Sequence, residues 1–296
     1  DSFADVLDYY AEFKQTGYGA TDHRLKVRIA KCKADLIEAL GVYKIAKQPI
    51  QTITRKDANA YRDTLAGRMS ANSVARYKNT LNAAFNWYIK ENGLEITSPF
   101  AGLLIKGAGS SKVDRLPLQD AHIKLLEPAM KDSEIAWALY VLLRDTGARV
   151  AEIAGLRVQD CNTGKGCLTI TPTPWRRLKN KTSERSVPLS QEAATLLKDL
   201  AKGKAAEEPV FERYAKDRGM DNCSQMLMKR LRTAITDKKL TMHSLRHRMK
   251  DKLRNTGCPE VISMAILGHG SNTVAANYGS GYALDVMRVN MEKVWS

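Results

Sequence analysis

Apolar residues recur at helical spacing through the first hundred positions. The segment SFADVLDYYAEF places Phe3, Val6, Leu7, Tyr10 and Phe13 on one face. DHRLKVRIAKCKADLIEALG repeats the pattern at Leu25, Ile29, Cys32, Leu36, Ile37 and Leu40, with a stop at Gly41. Thr54 and Asp57 form a capping signal ahead of TRKDANAYRDTLAG. A further helix starts in SANSVARYKN and carries Val74, Tyr77, Leu81, Ala84, Phe85 and Tyr88 on one side. These elements predict a four-helix bundle over residues 1–105.

The pattern changes after that bundle. IKGAGSSKVDR is small, polar and basic, and residues 106–115 are read as a linker. Such a linker between two basic halves suits closure around a polyanion, although the same composition suits a plain solvated loop. From residue 116 the pattern is mixed α+β. LQDAHIKLLEPAM and EIAWALYVLLRDTG read as helices, and the second is apolar nearly all round, as a central helix would be. GCLTITPT and ERSVPL alternate as strands and flank the polar basic stretch RRLKNKTS, which predicts a hairpin with a basic tip. Helices return from QEAATLLKDLAKG onward, and Leu284, Met287, Met291 and Val294 form a stripe on a C-terminal tail helix over residues 283–296. The fold class is therefore mainly α with a small β-hairpin or sheet.

Charge narrows the candidate partners. The 296 residues hold 47 Lys and Arg against 32 Asp and Glu, a formal +15. The excess is spread along the chain, which favours folded surfaces that meet a polyanion over a single basic arm. Nucleic acid is the first partner this implies. An anionic membrane surface is the second, but no basic amphipathic anchor supports it. No run of 18 apolar residues predicts a membrane span, and no signal peptide opens the chain. Five cysteines without a C-x-x-C read as free thiols of a reducing cytoplasm, and no cluster suggests a metal site or cofactor. The chain begins at Asp1 rather than Met, which leaves room for a preceding arm-binding domain.

Four segments carry reactive side chains. TGARVAEIAGL puts Arg149 after a glycine turn and Glu152 three residues on, so a carboxylate can orient a guanidinium that forks onto a phosphate. HSLRH supplies His243, which can move a proton near neutral pH, and Arg246 as a second guanidinium. LGHGSNTVAANY places His269 nine residues before Tyr278, with Gly268 leaving room for close approach. A tyrosine needs neighbouring cations to lose its proton at pH 7. NKTSERSVPL adds Lys181 in the hairpin, with Lys179 as the alternative. Each pair alone is as readily a surface ion pair or a packing residue.

Taken in order, these segments resemble the tyrosine recombinase (phage integrase) family. That family presents Arg, an acid three residues later, a hairpin Lys, His-x-x-Arg, a second His and a Tyr. The resemblance spans nearly the whole chain. It implies an N-terminal helical core-binding (SAM-like) domain over 1–105 and a catalytic domain over 116–296. It also implies a nucleophile at Tyr278 that forms a 3′-phosphotyrosine, with Arg149 and Arg246 on the phosphate oxygens and Lys181 protonating the leaving 5′-oxygen. His243 and His269 would assist, and Glu152 would hold the arrangement. Tyr282, four residues on, is the weaker nucleophile candidate. The implied partners are double-stranded DNA, three further copies in a tetramer on paired sites, and an excisionase or DNA-bending accessory protein. The free chain would be a monomer or weak oligomer. Arg76, Lys78, Lys112, Arg115 and Lys179 are the DNA-contact candidates, and the plain alternative for the Arg76 helix is a solvated face. The tail helix is expected to dock on a neighbouring copy, with its own domain as the alternative. Rival functions are a type IB topoisomerase-like relaxase and a catalytically silent DNA-binding protein of this fold.

Overall fold

The computed structural model describes residues 1–17, 19–109, 116–178, 183–269 and 282–296. The chain divides into two compact units, Asp1–Val113 and Asp114–Ser296.

The first unit is helical, and its helices begin and end where local chemistry directs. Helix α1 (Phe3–Phe13) opens on a capping box between Ser2 and Asp5 and buries Phe3, Val6, Leu7 and Tyr10. Phe13, last on the predicted stripe, is instead exposed and stacks on Trp87 with ring centroids 5.2 Å apart. Helix α2 (Gly19–Leu40) ends before Gly41, whose φ of 88° an L side chain rarely adopts. A short helix α3 (Val42–Ala46) follows, which the periodicity did not predict. Helix α4 (Arg55–Ala66) carries the Thr54–Asp57 capping box, and helix α5 (Ala71–Glu91) is capped by Ser70. Phe3, Phe85 and Phe100 meet at the centre of this unit, with Phe3 and Phe85 edge to face at 5.4 Å.

The second unit is built around helix α7 (Glu134–Thr146), which is buried at every position from Ala138 to Leu143. Helix α6 (Asp120–Lys131) packs beside it. The turn after α7 leads through Arg149 into the five-residue helix α8 (Val150–Ala154). Strands β1 (Cys161–Asn162), β2 (Cys167–Ile170) and β3 (Arg185–Pro188) form one antiparallel sheet in that order. The predicted hairpin is β2–β3, in the register Leu168↔Val187 and Ile170↔Arg185. Strand β1 is an addition, too short to leave a sequence signal. Helices α9 (Gln191–Ala201), α10 (Gly219–Ala234), α11 (Ser244–Asn255), α12 (Glu260–Leu267) and α13 (Leu284–Trp295) complete the unit. No helix among the described residues is long and apolar enough to cross a membrane.

Helix α13 takes the alternative docking in this single chain: its stripe of Met287, Met291 and Val294 is buried in the core of its own unit. Polar contacts fix the same docking. Trp295 Nε1 donates to Asp145 O at 2.9 Å, Lys252 Nζ donates to Val294 O at 3.1 Å, and Arg288 Nη2 donates to Lys165 O at 2.7 Å. The stripe showed that the helix is covered, and these partners show what covers it.

Gly147 ends α7 in the left-handed conformation with φ 64°. A Cβ there would stand 2.7 Å from Met249 Cγ and 2.8 Å from Leu267 Cδ2. Gly147→Ala therefore combines backbone strain with overpacking, and a loss of about 1–3 kcal/mol is expected. Urea unfolding checks it; a loss below about 0.5 kcal/mol would mean that the turn relaxes freely.

Candidate active site

The site is organised by the C-terminal end of α12. A helix leaves its last four carbonyls without intrahelical partners and carries partial negative charge at that end. Here all four are taken. Gly268, at φ 61°, donates its N–H to Ala265 O, and His269 N donates to Met264 O at 2.9 Å. The other two carbonyls are met by arginines. Arg185 Nε donates to Ile266 O at 2.7 Å, and Arg246 Nη2 donates to Leu267 O. Arg149 Nη2 reaches the next carbonyl, Gly268 O, at 3.5 Å. Three guanidiniums thus meet three successive carbonyls, and a helix end that would repel anions becomes cationic.

Glu152 sits among these cations. It is 3% exposed, and its carboxylate accepts from both the backbone and the side chain of Arg149, at 2.8 and 2.6 Å. Arg185 approaches the same carboxylate with Nη2 3.1 Å from Oε2 and Nη1 3.4 Å from Oε1. Burial pushes the Glu152 carboxyl up, but the charges and hydrogen bonds of Arg185 and Arg149 outweigh it and hold the group below the ordinary carboxylate range. Arg149 is the N-cap residue of α8, so the turn that stops α7 also aims this side chain. It is also the more accessible guanidinium, with its side chain 23% exposed.

Arg246 lies in the first turn of α11 and is buried. Its Nη1 donates to Gly147 O at 2.9 Å, so it joins the end of α7 to the end of α12. Burial, and then the nearby Arg149 charge, push its pKa well below the ordinary guanidinium value. Near it, His269 is half-buried. Burial and the charges of Arg246, Lys250, Arg149 and Arg185 lower its pKa to about 4. The imidazole is therefore neutral at pH 7.

That shift fixes a pH dependence. The His269 pKa is lower in the fold, about 4, than its ordinary 6.5, so the unfolded chain takes up the proton first as pH falls. Stability should be complete above about pH 6.5 and decline toward pH 4. His269→Asn should flatten that slope in thermal unfolding at stepped pH. A His269 ring titrating near 6.5 by NMR would contradict the assignment.

Arg149, Glu152, Arg246 and His269 therefore converge in one network. His243 stands differently: it is exposed at the N-cap of α11, with its ring 4.9 Å from that of His247. Lys181, Lys179 and Tyr278 lie outside the described residues, as do Lys112 and Arg115. Ser183, two residues past Lys181, is buried, and its Oγ accepts from Arg149 Nη1 at 3.4 Å, so the returning hairpin strand is anchored at this network. Tyr282 is 44% exposed. In the first unit, Arg76 is exposed with its guanidinium 5.5 Å from the Tyr77 ring, and Lys78 is half-buried on the same helix.

Sequence reasoning gave Arg185 no role. A signal was present. Arg185 shares a strand face with Val187, which is buried, and a charge on an inward face needs a counter-charge. Among the described residues no three His, Cys, Asp or Glu side chains are grouped as a metal would require.

Comparison with known proteins follows this geometry. The family model described as "Phage integrase family" matches residues 117–282, more than half of the chain. Tyrosine recombinase XerA of Pyrococcus furiosus is 27% identical over 158 residues, 52% of this chain and 53% of that protein, so the match spans about half the length of that relative. Tyrosine recombinase XerC of Thermodesulfovibrio yellowstonii is 25% identical over 279 residues, 88% of this chain and 86% of that protein. Among solved structures, the Tn1549 transposon integrase in complex with a circular intermediate DNA superposes with a TM-score of 0.67 at 18% identity, covering 99% of both chains. A lambda integrase tetramer bound to a Holliday junction gives 0.67 at 18% identity, covering 94% of this chain and 77% of the other.

Proposed function

This chain belongs to the phage integrase family of tyrosine recombinases, and from that premise we propose that it is a site-specific DNA recombinase. It cuts and rejoins strands through a 3′-phosphotyrosine intermediate, in the integration or excision of a phage or other mobile element. The observation that carries this reading is the convergence of Arg149, Arg246 and His269 at the end of α12, with Tyr278 nine residues beyond His269 in sequence.

In this mechanism Tyr278 Oη attacks the phosphorus in line. A P–O bond to tyrosine forms as the bond to the 5′-oxygen breaks. Lys181, or Lys179 in its place, protonates the departing 5′-oxygen. Arg149 and Arg246 donate to the non-bridging oxygens and offset their growing charge, the task that metal ions perform in many nucleases. His269, neutral at pH 7, donates one N–H to the same phosphate. His243 assists proton transfer at the tyrosine. Glu152 orients Arg149 and touches no substrate. One phosphoester replaces another, so a 5′-hydroxyl can reverse the step without ATP or a metal.

We assign residues 1–105 as the core-binding domain, 106–115 as the linker and 116–296 as the catalytic domain. Both domains contact double-stranded DNA, through phosphate contacts in which Arg76, Lys78, Lys112, Arg115 and Lys179 are candidates. A tetramer forms on paired sites, as lambda integrase does on its Holliday junction. The free chain is a monomer or weak oligomer in the cytoplasm, and an excisionase or DNA-bending protein sets direction.

The test is adduct capture. The full chain is mixed with a pool of nicked duplexes of randomised core sequence, denatured in SDS, and the retained DNA is sequenced. A covalent adduct is expected, with the modified peptide containing Tyr278. No adduct from any duplex, including sheared host DNA, would overturn the reading.

A further inference from the structure

Arg185 has no part in the roles just assigned, yet among the described residues its guanidinium makes four hydrogen bonds in this network, against three for Arg149 and two for Arg246. It opens β3, and its side chain is only 7% exposed. Every donor group of its guanidinium is directed inward. Nε donates to Ile266 O at 2.7 Å and Nη1 to Ser183 O at 2.8 Å, while Nη1 and Nη2 bracket the Glu152 carboxylate at 3.4 and 3.1 Å. The backbone makes room for it. A Cβ on Gly268 would stand 2.6 Å from Arg185 Nη1, so the side chain passes directly against the residue that precedes His269.

Three segments far apart in sequence meet at this one side chain: α8 through Glu152, the hairpin through Ser183, and the end of α12 through Ile266. Arg149 is held by the same carboxylate, through its backbone N–H and its Nη1. Its direct contact with the α12 end is one long hydrogen bond, 3.5 Å to Gly268 O. We infer that Arg185 is a positioning residue for strand cleavage: by gripping Glu152 and the Ile266 carbonyl together, it fixes Arg149 relative to His269. The inference rests on the recombinase reading of this site. Arg185 is not assigned to the phosphate, because Nε, Nη1 and Nη2 each already donate to a protein acceptor.

The chemistry of the residue supports this role. A planar guanidinium presents its donors as a rigid fork and can meet a carboxylate edge and a carbonyl at once. A lysine ammonium is a point charge and cannot span these acceptors. Loosening the grip lets Arg149 and His269 drift relative to one another, and a displacement of about 1 Å at a reacting centre costs on the order of 100-fold in rate.

The test is a double-mutant cycle with Arg185→Gln, Glu152→Gln and the pair, in the full chain, using the pool of nicked duplexes. Two quantities are read: the rate of covalent adduct formation at saturating protein, and duplex affinity. Arg185→Gln is expected to slow the adduct rate about 100-fold while duplex affinity stays within about threefold. In the Glu152→Gln background the further loss should be under about tenfold, because the grip is already cut. Arg185→Lys, which keeps the charge, repeats the cycle if the glutamine variant does not fold, and it is expected to be nearly as slow. Equal losses in both backgrounds would overturn the inference, as would a rate loss matched by an affinity loss. A wild-type chain that forms no adduct would overturn the recombinase reading and this inference with it. A wild-type adduct with additive losses overturns the inference alone.

Discussion

Tyr278→Phe is expected to reduce covalent adduct formation by on the order of 10⁴-fold or more, while duplex affinity stays nearly unchanged. The loss is chemical. The variant keeps the ring but has no oxygen to bond to phosphorus. The binding groups remain, because Arg149 and Arg246 are fixed by the carbonyls of Gly268, Leu267 and Gly147 and do not depend on the tyrosine. A tyrosine hydroxyl ordinarily titrates near about 10, so it needs cations to act at neutral pH. On the proposed reading these are Arg149 and Arg185, which both hold the Glu152 carboxylate, and Arg246, which feels the charges of Arg149 and Glu152. Tyr282 is the control. It is exposed and immediately precedes α13, and Tyr282→Phe should leave the rate within about threefold. The measurement is SDS-stable adduct over time on the nicked duplexes. An adduct that survives Tyr278→Phe but not Tyr282→Phe would transfer the nucleophile.

The sequence disclosed what is local and concealed what depends on distant approach. Gly41 and Gly147 stop helices through positive φ, and Thr54 with Asp57 starts one; each is a signal within four residues. Helix α3, helix α8 and strand β1 are too short to repeat a period, so no pattern announces α3 or β1. The pairing of Arg149 with Glu152 is likewise local, three residues apart. The capping of α12 is not. Arg185 reaches Ile266 across 81 residues and Arg149 reaches Gly268 across 119, and no periodicity encodes either approach. The tail stripe lies between these cases. Spacing identified the buried face of α13, but contacts such as Trp295 on Asp145, Lys252 on Val294 and Arg288 on Lys165 are needed to reveal that the same unit covers it.

Arg246→Met should slow adduct formation by about 10²–10³-fold, the usual cost of losing one donor to a developing oxyanion. Here the same side chain also has a structural duty, so the two effects must be separated. Arg246 caps Leu267 O and ties it to Gly147 O, and methionine leaves both carbonyls without that donor. An unsatisfied buried carbonyl costs about 1–3 kcal/mol. Opposing this, the charge is unfavourable in the free fold. Burial and the Arg149 charge both lower the Arg246 pKa, so removing the charge relieves repulsion. A modest net change in stability is therefore expected, far smaller than the change in rate implies. On the proposed reading DNA should reverse the balance. A phosphate held between Arg149 and Arg246 gives each a counter-ion, so DNA should raise the melting temperature of the wild type more than that of Arg246→Met. The salt dependence of duplex binding should lose about one phosphate contact. Arg246→Lys should be slow as well, because one ammonium cannot reach both carbonyls and still face a phosphate. Single-turnover adduct rates, melting curves with and without duplex, and binding at stepped salt measure the three effects. A folded Arg246→Met with a rate within about threefold of wild type would remove Arg246 from the chemistry and leave it only the cap of α12.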